Sequence, residues 1–220
     1  MSTTLAVDTS TVVAAAIAVD GHIVASATVD DTRAHAEALV PLVQRLAADA
    51  GVALADLDRI VAGVGPGPFT GLRVGVVTAT TLGEVLGVPV AGACSLDAVA
   101  AEWASVGAPG EFLVVSDARR KEVYWARYDG TGRRVAGPEV SAPDALPALP
   151  LAGPGAHLVG EPSTGSGNVG PTALDAGWLA VADLPDAGLE PLYLRRPDAE
   201  VPTRAKSALG APRLSLRRTR

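Results

Sequence analysis

The chain contains 220 residues, of which 48% are apolar and only 4% are aromatic. That length accommodates one compact domain or two small lobes, with Ala and Val filling most of the core. Cys94 is the single cysteine, which excludes an intrachain disulfide framework. No stretch approaches the roughly 18 consecutive apolar residues of a membrane span, and the first residues lack the features of a signal peptide. We therefore expect a cytoplasmic protein.

The net charge of −6 is unevenly distributed along the chain. From residue 195 onward there are eight basic and two acidic residues, a net of +6, whereas residues 1–194 carry 10 basic and 22 acidic residues, a net of −12. Nucleic-acid affinity comes from Lys and Arg that neutralise phosphates, so the acidic body is a poor RNA-binding surface. The basic tail at 197–220 is either a disordered, solubilising segment or a contact for RNA or an acidic partner.

The first hundred residues predict eight elements in the order β-β-β-α-β-α-β-α. Asp20-Gly21 separates two apolar runs and is a strong signal for a two-residue hairpin turn. Leu39, Val43 and Leu46 recur at helical spacing. The predicted strands cover 5–8, 12–19, 23–29, 60–64 and 88–93, and the predicted helices cover 33–50, 71–86 and 95–104.

A second, poorer copy of this pattern begins near residue 112. Strands are predicted over 112–117 and 122–128, with a turn at 129–132 and a short strand near Val135. Residues 137–171 contain 7 prolines and 7 glycines, which argues against long regular elements. A short helix over 172–182 and a strand over 191–194 complete the prediction.

This element order is that of the repeating half of the actin, sugar kinase and Hsp70 architecture. We therefore predict an α/β, actin-like ATPase (ASKHA) two-lobed fold. Its first lobe covers 1–104, a shortened second lobe covers 105–196, and the basic tail follows at 197–220.

Two segments are candidates for anion binding. Asp8-Thr9-Ser10 ends the first strand, where phosphotransferases of this fold class place an acid, but Thr and Ser there also close turns by bonding their own backbone. The loop at 63–73 joins a strand to a helix start, whose free amides suit anions. It lacks the Lys of a P-loop and the spacing of a dinucleotide fingerprint, so a rigid turn explains it equally well. The candidate nucleotide-facing residues are Asp8, Thr9, Ser10, Gly65, Gly67, Thr70 and Gly71.

Other polar groups give a surface candidate and no metal site. The segment 117–128 mixes cations, acids and aromatics around a predicted turn, which fits either a binding surface or a solvated hairpin tip. The candidate residues of this hairpin are Asp117, Arg119, Arg120, Glu122, Tyr124 and Trp125. His22, His35 and His157 have no metal-ligand spacing, and Cys94 fits a buried structural thiol.

Several segments together resemble a known family. In chain order they are Asp8-Thr-Ser, His35-Ala-Glu-Ala-Leu-Val-Pro41, Gly65-Pro-Gly-Pro-Phe-Thr-Gly-Leu-Arg73, Ser95-Leu-Asp97, Asp117-Ala-Arg-Arg-Lys-Glu-Val-Tyr-Trp125 and Glu190-Pro-Leu-Tyr-Leu-Arg195. They are similar to the TsaB (YeaZ) family of bacterial tRNA threonylcarbamoyladenosine biosynthesis subunits, over roughly 3–130 and 188–196. The family usually has Ser where this chain has Pro68.

The resemblance implies a role as a partner subunit. TsaB-like proteins pair with TsaD, a paralogue that transfers threonylcarbamoyl to the adenosine beside the anticodon, and the ATPase TsaE joins the complex. TsaD-like proteins hold a metal through an HxxxH pair that this chain lacks. The implied role is a non-catalytic scaffold without a cofactor of its own, which meets tRNA through the complex. The alternatives are a free-standing small-molecule kinase or transferase of the same fold, and a metal-dependent peptidase.

The helices over 35–50 and 71–87 give the predicted partner surface. The second of them has only Arg73 and Glu84 as charged residues and carries apolar side chains around nearly its whole circumference. A helix on a sheet needs one apolar stripe, so a further apolar face requires a cover. TsaB-like proteins associate through these helices, which implies a homodimer when alone and a shared interface with TsaD. The predicted interface residues are Leu39, Val43, Leu46, Leu72, Arg73, Val76, Val77, Thr80 and Glu84.

Overall fold

The computed structural model describes residues 1–30, 35–160 and 169–195, which form two β-sheets with helices packed on and between them. The predicted basic tail lies outside these residues. Among the described helices, none is both long and apolar enough to cross a membrane.

The first sheet has five strands in the order β3-β2-β1-β4-β5. β1 to β3 pair antiparallel, while β1, β4 and β5 pair parallel. Asp20 and Gly21 have φ angles of 49° and 78°, the conformation that two-residue hairpin turns require and that Asp-Gly adopts readily. The predicted order is confirmed, with β1 at Thr3–Asp8, β2 at Val13–Val19, β3 at His22–Val29, α1 at His35–Asp49, β4 at Arg59–Gly63, α2 at Phe69–Leu86, β5 at Val90–Ala93 and α3 at Ser95–Ser105.

The second sheet repeats the start of the first in the order β8-β7-β6-β9. Its strands are β6 at Phe112–Arg119, β7 at Glu122–Tyr128, β8 at Arg134–Ser141 and β9 at Leu151–Ala152, and α4 at Gly177–Val181 follows. Where α1 connects β3 to β4, only a short 3-10 turn at Pro143–Ala145 lies between β8 and β9. The second lobe is therefore shortened, and the actin-like two-lobed fold is confirmed.

The two faces of the first sheet carry side chains of different size, because side chains alternate along a strand. Leu5, Val7 and Ile17 are buried in a cluster with α1. Ala6 and Ala16 on the opposite face belong to a cluster shared with α3, α4 and the second sheet. The small side chains on this inner face leave room for the helices between the sheets to approach closely.

The strand near Val135 and the helix within 172–182 are confirmed with different lengths, and the strand predicted over 191–194 is wrong. β8 continues to Ser141 through Pro138, which an edge strand tolerates because a missing N–H there need not break the ladder. Residues 191–194 are not a strand, although the Leu192 amide donates to the Val64 carbonyl at 2.8 Å. The helix predicted over 172–182 is limited to Gly177–Val181. This helix belongs to the predicted second lobe, 105–196, but packs mainly on the sheet of the first lobe. The division of the sequence at residue 105 therefore does not coincide with the division between the lobes in space.

Candidate functional site

A buried carboxyl group ties the end of β1 to the glycine-rich loop. Asp8 is fully buried, and its Oδ1 accepts hydrogen bonds from the Ser10 amide at 2.7 Å and the Ser10 hydroxyl at 2.6 Å. Its Oδ2 accepts a bond from the Ser95 hydroxyl, whose oxygen accepts from the Gly65 amide at 3.0 Å. One carboxyl group therefore joins β1, the loop after β4 and the start of α3.

Gly63 packs directly against this carboxyl group. A Cβ added at Gly63 would lie 1.7 Å from Asp8 Oδ2 and 2.9 Å from Ser95 Oγ. Burial raises the pKa of Asp8 above its usual 3.8, and the hydrogen bonds from Ser10 and Ser95 oppose that rise. The cluster is a tight structural junction.

Thr9 holds the first turn of α2 in the same region. Its hydroxyl donates to the Gly71 carbonyl at 2.7 Å and accepts from the Gly75 amide at 2.9 Å. A Cβ at Gly75 would lie 2.4 Å from the Thr9 hydroxyl oxygen, so the helix approaches this closely only with Gly there. Pro68 is the N-cap of α2 and makes no side-chain capping bond.

The structure brings the predicted nucleotide-facing residues together at this junction. Asp8, Thr9, Ser10, Gly65, Gly67 and Gly71 are buried, and Thr70 alone of the set is exposed. Both carboxylate oxygens of Asp8 accept bonds from the chain itself. This geometry favours the turn-closing interpretation of Asp8-Thr9-Ser10, and a role of the loop toward nucleotide stays a prediction.

The predicted partner surface divides into buried and exposed residues. Leu39, Val43, Leu46, Leu72 and Val76 are at most 7% exposed. The three residues of α1 belong to the core between that helix and the first sheet. The prediction that these five side chains themselves contact a partner is therefore corrected: they support the helices from beneath.

The outer face of α2 contains the other predicted interface residues. Arg73, Val77 and Glu84 are exposed, with Val77 exposed by 59%, and Thr80 is half-buried. Val85 on the same helix is 75% exposed. A shallow groove of about 460 Å³ runs beside Phe69, Arg73 and Val77. This face is shallow and partly apolar, and its charged side chains are Arg73 and Glu84.

The segment 187–195 crosses the start of α2, a contact that sequence reasoning missed. The Tyr193 ring lies 4.7 Å from the Phe69 ring between centroids, and its hydroxyl accepts a 3.1 Å bond from Arg73 Nε. Arg73 also lies over the Phe69 ring at 4.3 Å. Arg195 pairs with Glu122 at the start of β7. Residues 187–195 therefore contact both lobes. The motif at 190–195 is the sequence signal that could have indicated this contact.

The predicted hairpin between β6 and β7 has an unusual backbone. Arg119, Arg120 and Lys121 are all exposed and have φ angles of 63°, 53° and 62°. The left-handed region costs a non-glycine residue about 1–2 kcal/mol. Asp117 fixes the turn, accepting from the Arg119 amide at 2.6 Å and its guanidinium at 3.0 Å.

The aromatic residues of this hairpin lie away from its tip. Tyr124 is buried, and Trp125 packs against the outer cluster of the second sheet. Their predicted place on the hairpin surface is corrected accordingly, while Asp117, Arg119, Arg120 and Glu122 remain near the turn. Alternation along β7 puts these two consecutive rings on opposite faces of the second sheet, and the charged residues of the turn are left in solvent.

A second buried carboxyl group, Asp97, was not predicted as a site. Its Oδ1 accepts a 2.7 Å bond from the Tyr128 hydroxyl and lies 3.6 Å from Arg134 Nε. Burial raises the pKa of Asp97, opposed by Tyr128 and Arg134. Asp97 lines a cavity of about 620 Å³ between α3, the turn at 129–134 and the segment after α4, with Trp178 on its wall. Within the described ranges, no three His, Cys, Asp or Glu side chains are grouped to share a metal ion.

Two sheets that begin with the same strand order, an acid at the end of β1 and helices between the sheets define an actin-like α/β protein with a reduced second lobe. Solved structures have the same fold. An uncharacterised Pseudomonas aeruginosa protein with similarity to peptidase YeaZ aligns with a TM-score of 0.73 and 28% identity, covering 89% of this chain and 100% of that one. YeaZ from Pseudomonas aeruginosa aligns with a TM-score of 0.69 and 29% identity, covering 81% of this chain and 89% of that one.

Sequence comparisons define the family. The model described as TsaD, tRNA N6-adenosine threonylcarbamoyltransferase, matches residues 22–162. An uncharacterised protein of Mycobacterium tuberculosis is 47% identical over 91% of this chain and 95% of its own. The tRNA threonylcarbamoyladenosine biosynthesis protein TsaB of Escherichia coli is 37% identical over 44% of this chain and 42% of its own. The chain belongs to the family that this model describes and, within it, to the TsaB (YeaZ) branch.

Proposed function

We propose that this chain is a non-catalytic subunit for the formation of N6-threonylcarbamoyladenosine beside the anticodon of tRNAs. It acts in the cytoplasm with a TsaD-like transferase and a TsaE-like ATPase, and it forms a homodimer when alone. The observation that carries the proposal is family membership together with the exposed face of α2. The TsaB proteins of Escherichia coli and Bacillus subtilis, each 37% identical to this chain over less than half of its length, are named for this modification.

The exposed face of α2 supports the partner role. Val77 and Val85 are exposed by 59% and 75%, two turns apart on one helix. Apolar side chains at that spacing form a stripe suited to a second helix. Arg73 and Glu84 at its two ends permit charge pairing that fixes orientation. A stripe used by two partners makes self-association compete with TsaD binding.

The sequence also supports a non-catalytic role. The HxxxH metal pair of TsaD-like proteins requires two histidines four residues apart, and the histidines here are at 22, 35 and 157. The carboxylate of Asp8, which would face a nucleotide in a kinase of this fold, is fully buried and bonded to Ser10 and Ser95. Cofactors are therefore expected on the partner subunits.

The test pairs this chain with the TsaD-like protein of the same cell. Val77→Glu should leave the chain folded, because the side chain points to solvent, yet weaken both the homodimer and the TsaD complex by at least about 30-fold. An unpaired charge buried at an interface costs about 2 kcal/mol or more. Assembly is measured by light scattering and modified tRNA by mass spectrometry, with and without this chain.

Val135→Glu is the matched control, because Val135 is 45% exposed and lies on β8 at the far edge of the second sheet. It should change neither assembly nor modification. If Val77→Glu stays folded, dimeric and able to bind TsaD, the interface lies elsewhere. If modification is equally fast without this chain, the subunit role itself is wrong.

A further inference from the structure

Two hairpin turns of this chain have left-handed backbone at both loop residues but differ in chemistry. β2–β3 and β6–β7 are each closed by a two-residue loop, with Val19 opposite His22 and Arg119 opposite Glu122. The central residues have positive φ in both, 49° and 78° in one, 53° and 62° in the other. The first loop is Asp20-Gly21, which this conformation favours, and the second is Arg120-Lys121, which it disfavours. The second turn also has Arg119 in the left-handed region, next to a register shift between Asp117 and Arg119.

The difference matters because the Asp20-Gly21 loop of the same chain shows a sequence that adopts this backbone with little strain. Asn-Gly or Asp-Gly at 120–121 would adopt this turn with less strain. Strained backbone tends to occur where side-chain placement serves a function. The second turn positions three consecutive, exposed cationic side chains, those of Arg119, Arg120 and Lys121.

The neighbouring charges restrict where these cations can act. Asp117 bonds the Arg119 guanidinium, and Glu122 pairs with Arg195. Arg119 keeps 69% of its side chain exposed despite that pair. Residues 1–194 are otherwise strongly acidic, which makes this tip a local positive point on a negative surface.

We propose that the β6–β7 hairpin tip, Arg119 to Lys121, contacts the phosphate backbone of the tRNA in the assembled complex. Arg and Lys are the side chains that bind backbone phosphates. The strained turn directs them away from the sheet, and the acidic body suppresses RNA binding elsewhere. This inference deepens the proposed function and depends on it.

The test separates strain from charge in the complex of the full chain with the TsaD-like subunit. Arg120→Asn/Lys121→Gly removes the charge and the backbone strain of the two loop residues, and Arg120→Gln/Lys121→Gln removes their charge alone. Arg119 keeps its left-handed backbone in both variants. The first should raise the Tm by at least about 3 °C. Both should weaken binding of transcribed tRNA by roughly 10-fold and reduce the salt dependence by about two phosphate contacts. Arg133→Gln, an exposed cation at the other end of β7, is the control and should change neither quantity.

Assembly is measured separately, which keeps the two proposals distinguishable. Unchanged tRNA affinity and salt slope in an intact complex would overturn this inference and leave the subunit role standing. Loss of assembly with unchanged tRNA affinity would show a protein contact and overturn it as well. If the wild-type chain forms no complex, the subunit role fails. The isolated chain is then titrated with the same tRNA. Weaker tRNA binding by both charge variants than by the wild type supports the hairpin contact, and equal binding refutes it.

Discussion

Replacing Gly63 by Ala tests whether the Asp8 junction is as rigid as its geometry indicates. The new Cβ would lie 1.7 Å from Asp8 Oδ2 and 2.6 Å from Asp8 Cγ. The carboxyl group is held by Ser10 and Ser95, so it cannot move without breaking hydrogen bonds. β4 pairs directly with β1, so the backbone cannot separate without opening the sheet.

The expected loss of stability is about 3–5 kcal/mol. Overpacking contributes about 1–3 kcal/mol, and each buried donor left without an acceptor adds about 1–3 kcal/mol. For a chain of this length the Tm should fall by roughly 6–20 °C. Urea unfolding followed by far-UV circular dichroism measures the change. Gly51→Ala is the control: φ is +66° there with no atom within 4 Å of the new Cβ, so only about 1–2 kcal/mol of backbone strain is expected.

A double-mutant cycle makes this prediction specific. Asp8→Ala removes the carboxyl group that the new methyl group of Gly63→Ala would strike, so the two substitutions together should cost less than the sum of the single costs. We expect a coupling of about 1–3 kcal/mol. Additive effects, or a Gly63→Ala variant within about 1 kcal/mol of wild type, would refute the packing argument.

Three further outcomes are expected. Because burial raises the pKa of Asp8 in the folded state, its contribution to stability is fully present below the unfolded value near 3.8 and declines as the pH rises through the folded pKa. Asp8→Asn should flatten that decline in pH-dependent urea titrations, and an unchanged profile would contradict the assignment. Burial raises the pKa of Cys94 to about 12, so Ellman's reagent at about pH 8 should label it only after unfolding. The isolated chain should bind ATP weakly or not at all, and low-micromolar affinity in calorimetry that Asp8→Ala abolishes would reverse this view.

The first lobe was predictable because its signals are local. Alternation, helical spacing and the Asp20-Gly21 turn each act within a few residues, and every element of the first hundred residues is confirmed within a few positions. α2 was harder to interpret, since its glycines and threonines blur the apolar stripe. Leu72 and Val76 face the core, and Val77, one residue on, faces solvent.

The junctions were not predictable, because they join residues distant in sequence. Nothing local links Asp8 to Ser95 or Gly63, and nothing marks Tyr193 as the partner of Phe69. The hairpin at Arg120-Lys121 contradicts turn preferences, so its left-handed backbone is visible only in three dimensions.

The placement of α4 on the inner face of the first sheet has a consequence during synthesis. β5 ends at Ala93, whereas α4 begins at Gly177, about eighty residues later. At roughly 5–20 residues per second, a ribosome needs about 4–16 s to supply the cover for that alanine-lined face. A nascent chain stalled within this interval exposes the face to chaperones and to other nascent chains, so translation speed between the two lobes should influence how much of the protein reaches the folded state.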